Sequence, residues 1–425
     1  MEKSLRITHC ALRIAVVGGG CAGMMAAIRA AERGASVILF EKMPQVGRKL
    51  RITGKGRCNL TNSADVAEIV KNIPGNGKFL FSALKNFTPA DTVNFFESLG
   101  VKTKVERGGR VFPISDDATE VIDALLKRLA ILGVEVKTNA PVTEIIARNK
   151  KIVGVLVDGK IFEADAVILA TGGASYPATG SSGDGFKFAR RLGHTITEIL
   201  PALVPLETEE DFVRDLQGLS LKNVRVKLIS DGKRVDELFG EMLFTHFGVS
   251  GPIILTLSRK VAQLLAAGRL VELEINLKPA LTPEQLDARI LRDFAKFKGK
   301  IVKNALIELL PSKLIPIILD LAYLPEEKRV DDIKSAERRR LVEILRGMPL
   351  TITKTRPIAE AIVTSGGISV KEINPRTMES KIVKNLFIVG EVADIDGFTG
   401  GFNLQAAWAT GNAAGIYSTS EKVTI

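Results

Sequence analysis

Short apolar runs alternate with helical patterns along the first part of the chain. Residues 12–17, Leu-Arg-Ile-Ala-Val-Val, predict a strand, the alanine-rich stretch 21–33 a helix, and Ser36–Phe40 a second strand. That spacing suits a parallel strand–helix–strand crossover. Helices are expected near 89–99 and 117–132, each closed by a glycine (Gly100, Gly133). Apolar runs at 134–137, 142–147 and 152–157 predict strands, the last turning at Asp158-Gly159 into a hairpin. Ala166–Ala170 is apolar throughout, as in a strand buried on both faces. After residue 195 the texture changes. Segments 203–206, 224–229 and 271–277 predict β structure with a turn at Asp231-Gly232, and 282–346 reads as helical. Strand character returns at Leu350–Thr353 and Leu386–Val389, followed by a glycine-rich loop and a helix from about Asn403.

The first chemical motif is Gly18-Gly19-Gly20-Cys21-Ala22-Gly23, a G-x-G-x-x-G between the first strand and its helix. Such a turn brings backbone N–H groups and a helix amino end to a pyrophosphate. Glu41 ends the second strand, where a carboxylate accepts hydrogen bonds from ribose hydroxyls. A dinucleotide site is expected here. Two later segments favour FAD over NAD. Ala170-Thr171-Gly172-Gly173 follows the buried strand, and Gly390-Glu391 through Gly400-Gly401-Phe402-Asn403 links the last strand to the last helix. An acidic side chain at such a strand end holds ribityl hydroxyls, and a helix amino end stabilises negative charge on a reduced flavin.

The expected architecture is therefore α/β: a Rossmann-like FAD-binding domain from 1–195 and 351–425, a β-rich insertion at 196–281, and a helical domain at 282–350. With 425 residues the chain has room for two or three domains. Three cysteines (Cys10, Cys21, Cys58) give no disulfide framework, which points to a reducing, cytoplasmic setting. Lys3 and Arg6 before an apolar stretch faintly resemble a leader, but the stretch runs straight into the glycine turn without a cleavage-like site. No run is long enough for a membrane span, and no metal-ligand spacing is present. The net charge is +11, with its sharpest excess at Lys42, Arg48, Lys49, Arg51, Lys55 and Arg57. Part of that excess is assigned to a bound pyrophosphate and the rest to solvated surface, so no nucleic-acid partner is expected.

The runs Gly47-Arg48-Lys49, Thr53-Gly54-Lys55-Gly56-Arg57-Cys58-Asn59-Leu60-Thr61-Asn62 and Gly390-Glu391 to Asn403 resemble the HI0933-like (BaiN-type) flavoproteins. Thr245-His246-Phe247-Gly248-Val249-Ser250-Gly251-Pro252 and Thr364-Ser365-Gly366-Gly367 fit the same family. Ala170–Gly173 with Ser182-Gly183-Asp184-Gly185 is more distantly similar to fumarate reductase and succinate dehydrogenase flavoprotein subunits. The resemblance implies an FAD domain, an inserted barrel-like domain, a helical domain, and redox substrates that differ between members, some of them steroid-like. It also implies that Gly18, Gly20, Cys21, Ala22 and Gly23 meet the pyrophosphate and Glu41 the ribose, with Lys42, Arg48 or Lys49 neutralising phosphate. Val142 is expected at the adenine, Ala170, Thr171 and Gly172 near the cofactor, and Gly390, Glu391, Gly401, Phe402 and Asn403 along ribityl and ring. Gly56, Arg57 and Cys58 join the set through the shared motif.

Three residues invite a choice. Cys58 is weighed as a redox thiol, paired with Cys21, against a packing role; the lack of C-x-x-C spacing favours packing. His246 is weighed as a proton donor against a structural histidine. Arg57 serves phosphate or substrate. The expected activity is hydride exchange between flavin N5 and a small organic substrate, with NAD(P)H as a transient partner that lacks its own Rossmann domain. The rivals are an oxygen-using oxidase of an amine or aminoketone, and a flavin-containing RNA-binding or RNA-modifying protein. Scarce aromatic residues place the RNA reading last.

Overall fold

The computed structural model describes residues 11–420; Cys10, Lys3 and Arg6 lie outside them. The chain opens with β1 (Arg13–Val17), α1 (Cys21–Ala31) and β2 (Ser36–Phe40), then α2 (Arg48–Ile52) and β3 (Thr61–Asn62). Next come α3 (Pro89–Ser98), β4 (Thr103–Glu106), β5 (Arg110–Pro113), α4 (Ala118–Ile131) and β6 (Glu135–Lys137). A Thr88/Asp91 capping box starts α3, and the Asp117 side chain caps α4, so both helices begin where local chemistry places them. The strands β7 (Val142–Arg148), β8 (Lys151–Val157) and β9 (Lys160–Glu163) form a separate antiparallel sheet. Its β8–β9 turn has both Asp158 and Gly159 at positive φ, the type I′ geometry the Asp-Gly pair predicts. Then follow β10 (Ala166–Leu169) and α5 (Asp184–Arg191).

Leu200–Ala361 forms a second compact unit. The strands β11 (Leu206–Thr208), β12 (Ser220–Ser230), β13 (Lys233–Thr245), β14 (Gly248–Ser250), β15 (Val271–Asn276) and β16 (Met348–Thr355) close into a barrel in the order β11-β14-β13-β12-β15-β16. The helices are α6 (Pro252–Ala266), α7 (Pro283–Lys296), α8 (Leu314–Leu321) and α9 (Ser335–Arg346). Barrel residues Val226, Phe244 and Leu273 share one core with Leu257 of α6, Ile290 of α7, Ile318 of α8 and Leu341 of α9. Two details differ from the sequence expectation. Helix α6 stands where only β structure was foreseen, because its β-branched Ile253-Ile254 start masks the Gly251-Pro252 helix opening. The strand read at 203–206 begins only at Leu206, since Leu203 takes a left-handed φ of 53°.

The chain then returns to the first unit with β17 (Leu386–Ile388) and α10 (Phe402–Tyr417). A parallel five-stranded sheet results, in the order β17-β10-β1-β2-β6. All of β10 and β17, and all of β1 except Arg13, are buried, as continuous apolar strands between helical layers require. Val17 pairs with Leu169, and Leu169 with Ile388. This register lines up Gly18, Ala170 and Val389-Gly390 at the carboxyl edge of the sheet, where ligands of such sheets bind. Helices α1 and α10 pack closely: a Cβ on Gly411 would stand 2.4 Å from Ala22 O, and one on Gly415 2.4 Å from Ala26 O. Among the described residues, no helix is long and apolar enough to cross a membrane.

Candidate functional site at the carboxyl edge of the sheet

The three motif glycines do different work. Gly18 has φ +110°, donates its N–H to Phe40 O, and leaves no room for a Cβ, which would lie 2.4 Å from Ala170 O. A Cβ on Gly23 would lie 2.0 Å from Gly18 O, so that glycine lets α1 pack on the strand. Gly20 is the opposite case: a Cβ there meets no protein atom within 4 Å. No protein atom fills the space there, which leaves an opening at the amino end of α1, where backbone N–H groups favour a bound phosphate. Two buried polar atoms without a protein partner, Arg48 Nε and Thr171 Oγ1, belong to segments bordering this turn. Gly47 N donates to Gly19 O, and Thr171 Cα lies 3.1 Å from a Cβ built on Gly18. The residues present fit a dinucleotide.

Glu41 is fixed by two backbone donors, Gly19 N to Oε2 and Met43 N to Oε1, each at 2.8 Å. Both oxygens keep lone pairs for further donors. Ala140 N donates to the Glu41 backbone carbonyl, which ties the segment leading into β7 and Val142 to the end of β2. Cys21 opens α1, and burial, with a smaller push from nearby Glu391, raises its thiol to about 11.

Three of the six cations between Lys42 and Arg57, namely Lys42, Lys49 and Arg57, are committed to carboxylates. Lys42 Nζ lies 2.7 Å from Asp184 Oδ2 and also meets Ser182 Oγ. Burial alone would raise Asp184, but hydrogen bonds from Lys42 and Ser182 and the Lys42 charge hold it down at about 2. Its contribution to stability is therefore complete above the ordinary 3.8 and is lost as pH falls through about 2. Lys42→Met should return Asp184 toward its ordinary value and flatten that acid slope. The expected change is no more than about 1 kcal/mol, since both partners are about a third exposed. Urea midpoints of wild type and variant at pH 5 and pH 3 check this, and parallel pH slopes would refute it. Arg48 Nη2 reaches only Ala178 O at 3.2 Å, so Arg48 keeps donors for a phosphate.

Lys49 Nζ lies 2.7 Å from both Glu391 Oε2 and Ser175 Oγ. Glu391 Oε1 accepts from Thr364 N and Ser175 Oγ, while Thr364 Oγ1 accepts from Ala174 N and Ser175 N. Burial pushes Glu391 up, yet the Lys49 charge and these hydrogen bonds prevail and keep it below its ordinary range. This network locks α2, the loop after β10 with Gly172, and the segment after β17 into one edge. Asn403 is turned away from an open role: Oδ1 accepts from Gly397 N, and Nδ2 donates to Gly397 O and Phe398 O. Gly401 has φ +97°, and a Cβ would strike Thr61 O at 2.3 Å, so the loop before α10 lies directly on the 53–62 motif. Phe402 is buried behind it.

Gln405 and Trp408, which sequence reasoning passed over, complete this clamp. Thr61 and Thr92 both donate to Gln405 Oε1, Gln405 Nε2 donates to Phe87 O, and Trp408 Nε1 donates to Leu60 O. Nothing but their place one turn beyond Asn403 could have flagged them. Cys58 is wholly buried at φ 60°, its thiol pushed up to about 12 chiefly by burial, which is the environment of an inert thiol. Gly56 stands in the same left-handed loop. Arg57 is held by Glu106 at 2.8 Å and Asp116 at 3.3 Å, over the Phe112 ring at 4.0 Å. His246 belongs to the second unit. It is exposed, stands edge-on to Phe247, and lines a cavity of about 530 Å³ with Glu207 and Glu210. Among the described residues no cluster of His, Cys, Asp and Glu suits a metal ion.

A parallel sheet with a glycine cradle at its carboxyl edge marks a dinucleotide-binding domain, and the protein is an FAD-dependent flavoprotein oxidoreductase. The family model for the HI0933-like protein Rossmann domain matches residues 12–417, and the chain belongs to that family. The 3-dehydro-bile acid delta(4,6)-reductase of Clostridium scindens is 34% identical over 95% of this chain and 98% of its own length. The ribosomal RNA dihydrouridine synthase of Haemophilus influenzae is 29% identical over 94% and 97%. The solved 3-ketosteroid delta1-dehydrogenase of Sterolibacterium denitrificans shares the fold, with 14% identity, TM-score 0.54, and 96% and 99% coverage.

Proposed function

We propose that this protein is an FAD-dependent reductase of a C=C bond conjugated to a carbonyl, with a steroid-like ketone as its first candidate substrate. The observation that carries this reading is the 34% identity to a bile-acid reductase along nearly the full length of both chains. Gly18, Gly20, Gly23 and the first turn of α1, with Cys21 and Ala22, would hold the pyrophosphate, and Arg48 would add a cation. Glu41 would take the ribose, and Val142 the adenine. Ala170, Thr171, Gly172, Gly390 and Glu391 would border the ribityl chain, with Lys49 holding Glu391 in place. When bound, FAD supplies reversible hydride transfer. The backbone donors at the amino end of α10, at Gly401 and Phe402, would face negative charge on the reduced ring. A saturated product also needs a proton. Arg57 is a permanent cation clasped by carboxylates, so it would hold charge rather than give up a proton.

NAD(P)H is the proposed electron source. In anaerobic mixing, NADH or NADPH should bleach the flavin, and a 3-oxo-4,6-diene bile acid should restore its colour while gaining two hydrogens by mass spectrometry. Bleaching without product would remove the steroid reading; in a separate assay in air, peroxide formation matched to turnover would favour an oxidase.

A second reading has its own support. Uracil also carries a C=C bond conjugated to a carbonyl, the Haemophilus relative acts on ribosomal RNA by name, and the chain is strongly basic. The same assay with purified ribosomal RNA, digested and scored for dihydrouridine, separates the two.

A further inference from the structure

The basic excess that the sequence places at 48–57 is joined in the fold by a second one. Segments 51–57 and 102–110 together carry seven Lys and Arg against a single carboxylate, Glu106, with Asp116 just beyond. They are not merely similar in charge; they share one face of the first unit. Leu60 N donates to Val111 O, β3 pairs with β5, and β5 pairs with β4, so the loop carrying Lys55 and Arg57 lies along the 103–113 hairpin. Arg57 and Arg110 both stand over the Phe112 ring, at 4.0 and 5.7 Å. Glu106 and Asp116 do not neutralise this face. They brace it, with Arg57 and Arg110 on Glu106 and Arg57 and Lys104 on Asp116.

Beyond that braced set, Lys55, Lys102 and Arg107 are exposed and make no ion pair among the described residues. Lys55 is held at φ 61° between two glycines that are also left-handed. Lys102 and Lys104 fall on one side of the strand, about 7 Å apart by the two-residue period. Two apolar side chains on the same segments are exposed, Ile52 (45%) and Ile114 (55%), and Ile114 N donates to Lys102 O. No cofactor needs them, and an isolated solvated surface gains nothing from so one-sided a charge.

We infer that this face docks structured RNA, with Lys55, Lys102 and Arg107 meeting phosphates and Ile52 and Ile114 covering sugar or base surface. The inference rests on the second reading above. Charge complementarity carries it: concentrated, unpaired cations on a rigid frame are the footprint of a polyanion, and phosphate contacts supply most of the affinity for nucleic acid. An anionic membrane is a poorer match, because the two apolar residues sit apart, one ending the short helix α2 and one after the hairpin, and form no continuous amphipathic helix. This departs from the assignment that the sequence alone suggests. There the whole cluster was divided between pyrophosphate and solvent; in the fold, Lys42 and Lys49 turn to carboxylates, and the hairpin adds cations that sequence distance hid.

The test uses flavin-loaded full-length protein, purified ribosomal RNA as the probe, and two triple variants. One is Lys55→Glu/Lys102→Glu/Arg107→Glu. The control, Lys222→Glu/Lys233→Glu/Lys298→Glu, makes the same charge change on the second unit. The face variant should bind at least about tenfold more weakly at 0.1 M salt. Its log–log salt slope should be shallower by about 2–3, near one for each lost phosphate contact. The control should stay within about twofold of wild type. Equal loss in both variants, or none in either, overturns the assignment, as does wild-type binding to phosphatidylglycerol vesicles but not to RNA. The flavin spectrum of each variant reports whether it is folded. Dihydrouridine formation is scored in parallel. RNA that is modified but still bound normally by the face variant sinks the face and spares the reading. RNA that is bound through this face but never reduced sinks the reading and spares the face.

Discussion

Purified Gly20→Val protein is expected to be folded, stable and colourless. A Cβ at this position meets no protein atom within 4 Å, and the backbone there is extended (φ −79°, ψ −175°), so a branched residue enters without strain. What the new side chain fills is the approach to the amino end of α1. Flavin affinity should fall at least about a hundredfold, or about 2.7 kcal/mol, while the urea midpoint of the flavin-free protein stays unchanged. Gly23→Ala makes the opposite contrast. Its Cβ would stand 2.0 Å from Gly18 O, backbone that cannot step aside, so the apo-protein itself should lose about 1–3 kcal/mol or more. Flavin absorbance after reconstitution and urea unfolding of the apo-forms check both. A yellow Gly20→Val protein with wild-type affinity would show that the dinucleotide lies elsewhere.

The second large effect concerns Lys49 and Glu391. Lys49→Met leaves the Glu391 carboxylate with its Thr364 and Ser175 donors but no cation, in a place where each side chain keeps only about a fifth of its surface. Breaking a fully buried pair from one side costs about 3–5 kcal/mol; the residual exposure here lowers the expectation to about 2–3 kcal/mol at pH 7. In the wild type Glu391 lies below its ordinary 4.5, so the pair stabilises fully above that pH and the gain is lost as pH falls through the lower folded value. In Lys49→Met the sign reverses: the bare carboxylate is the liability, and its protonation in acid relieves it. The variant's deficit should shrink from pH 7 to pH 5, and adding Glu391→Gln should recover most of it. Urea unfolding of the three proteins at both pH values decides. A deficit that ignores pH and survives Glu391→Gln would mean Lys49 acts through packing alone.

Much of the cofactor-binding edge was legible because its demands are local. A strand, three glycines and a helix within a dozen residues prescribe the turn, and Glu41 follows at the next strand end. Continuous apolar stretches at 166–169 and 386–388 likewise announced buried parallel strands. The helix α6 was missed because β-branched residues obscure a start signalled only by Gly251-Pro252. Asn403, expected along the ribityl chain and flavin ring, also closes the loop from Gly397 with its amide, a contact that motif matching does not convey.

Taken alone, the amino-acid order determined the nucleotide turn, the strands that flank it and the family, since backbone sterics and hydrophobic period act between near neighbours. Only the tertiary structure decided which charges are free. Lys42 finds Asp184 across 142 positions, Lys49 finds Glu391 across 342, and Arg57 finds Glu106 across 49. An ion pair between remote positions leaves no periodic mark in the chain, because it depends on distance in space after folding.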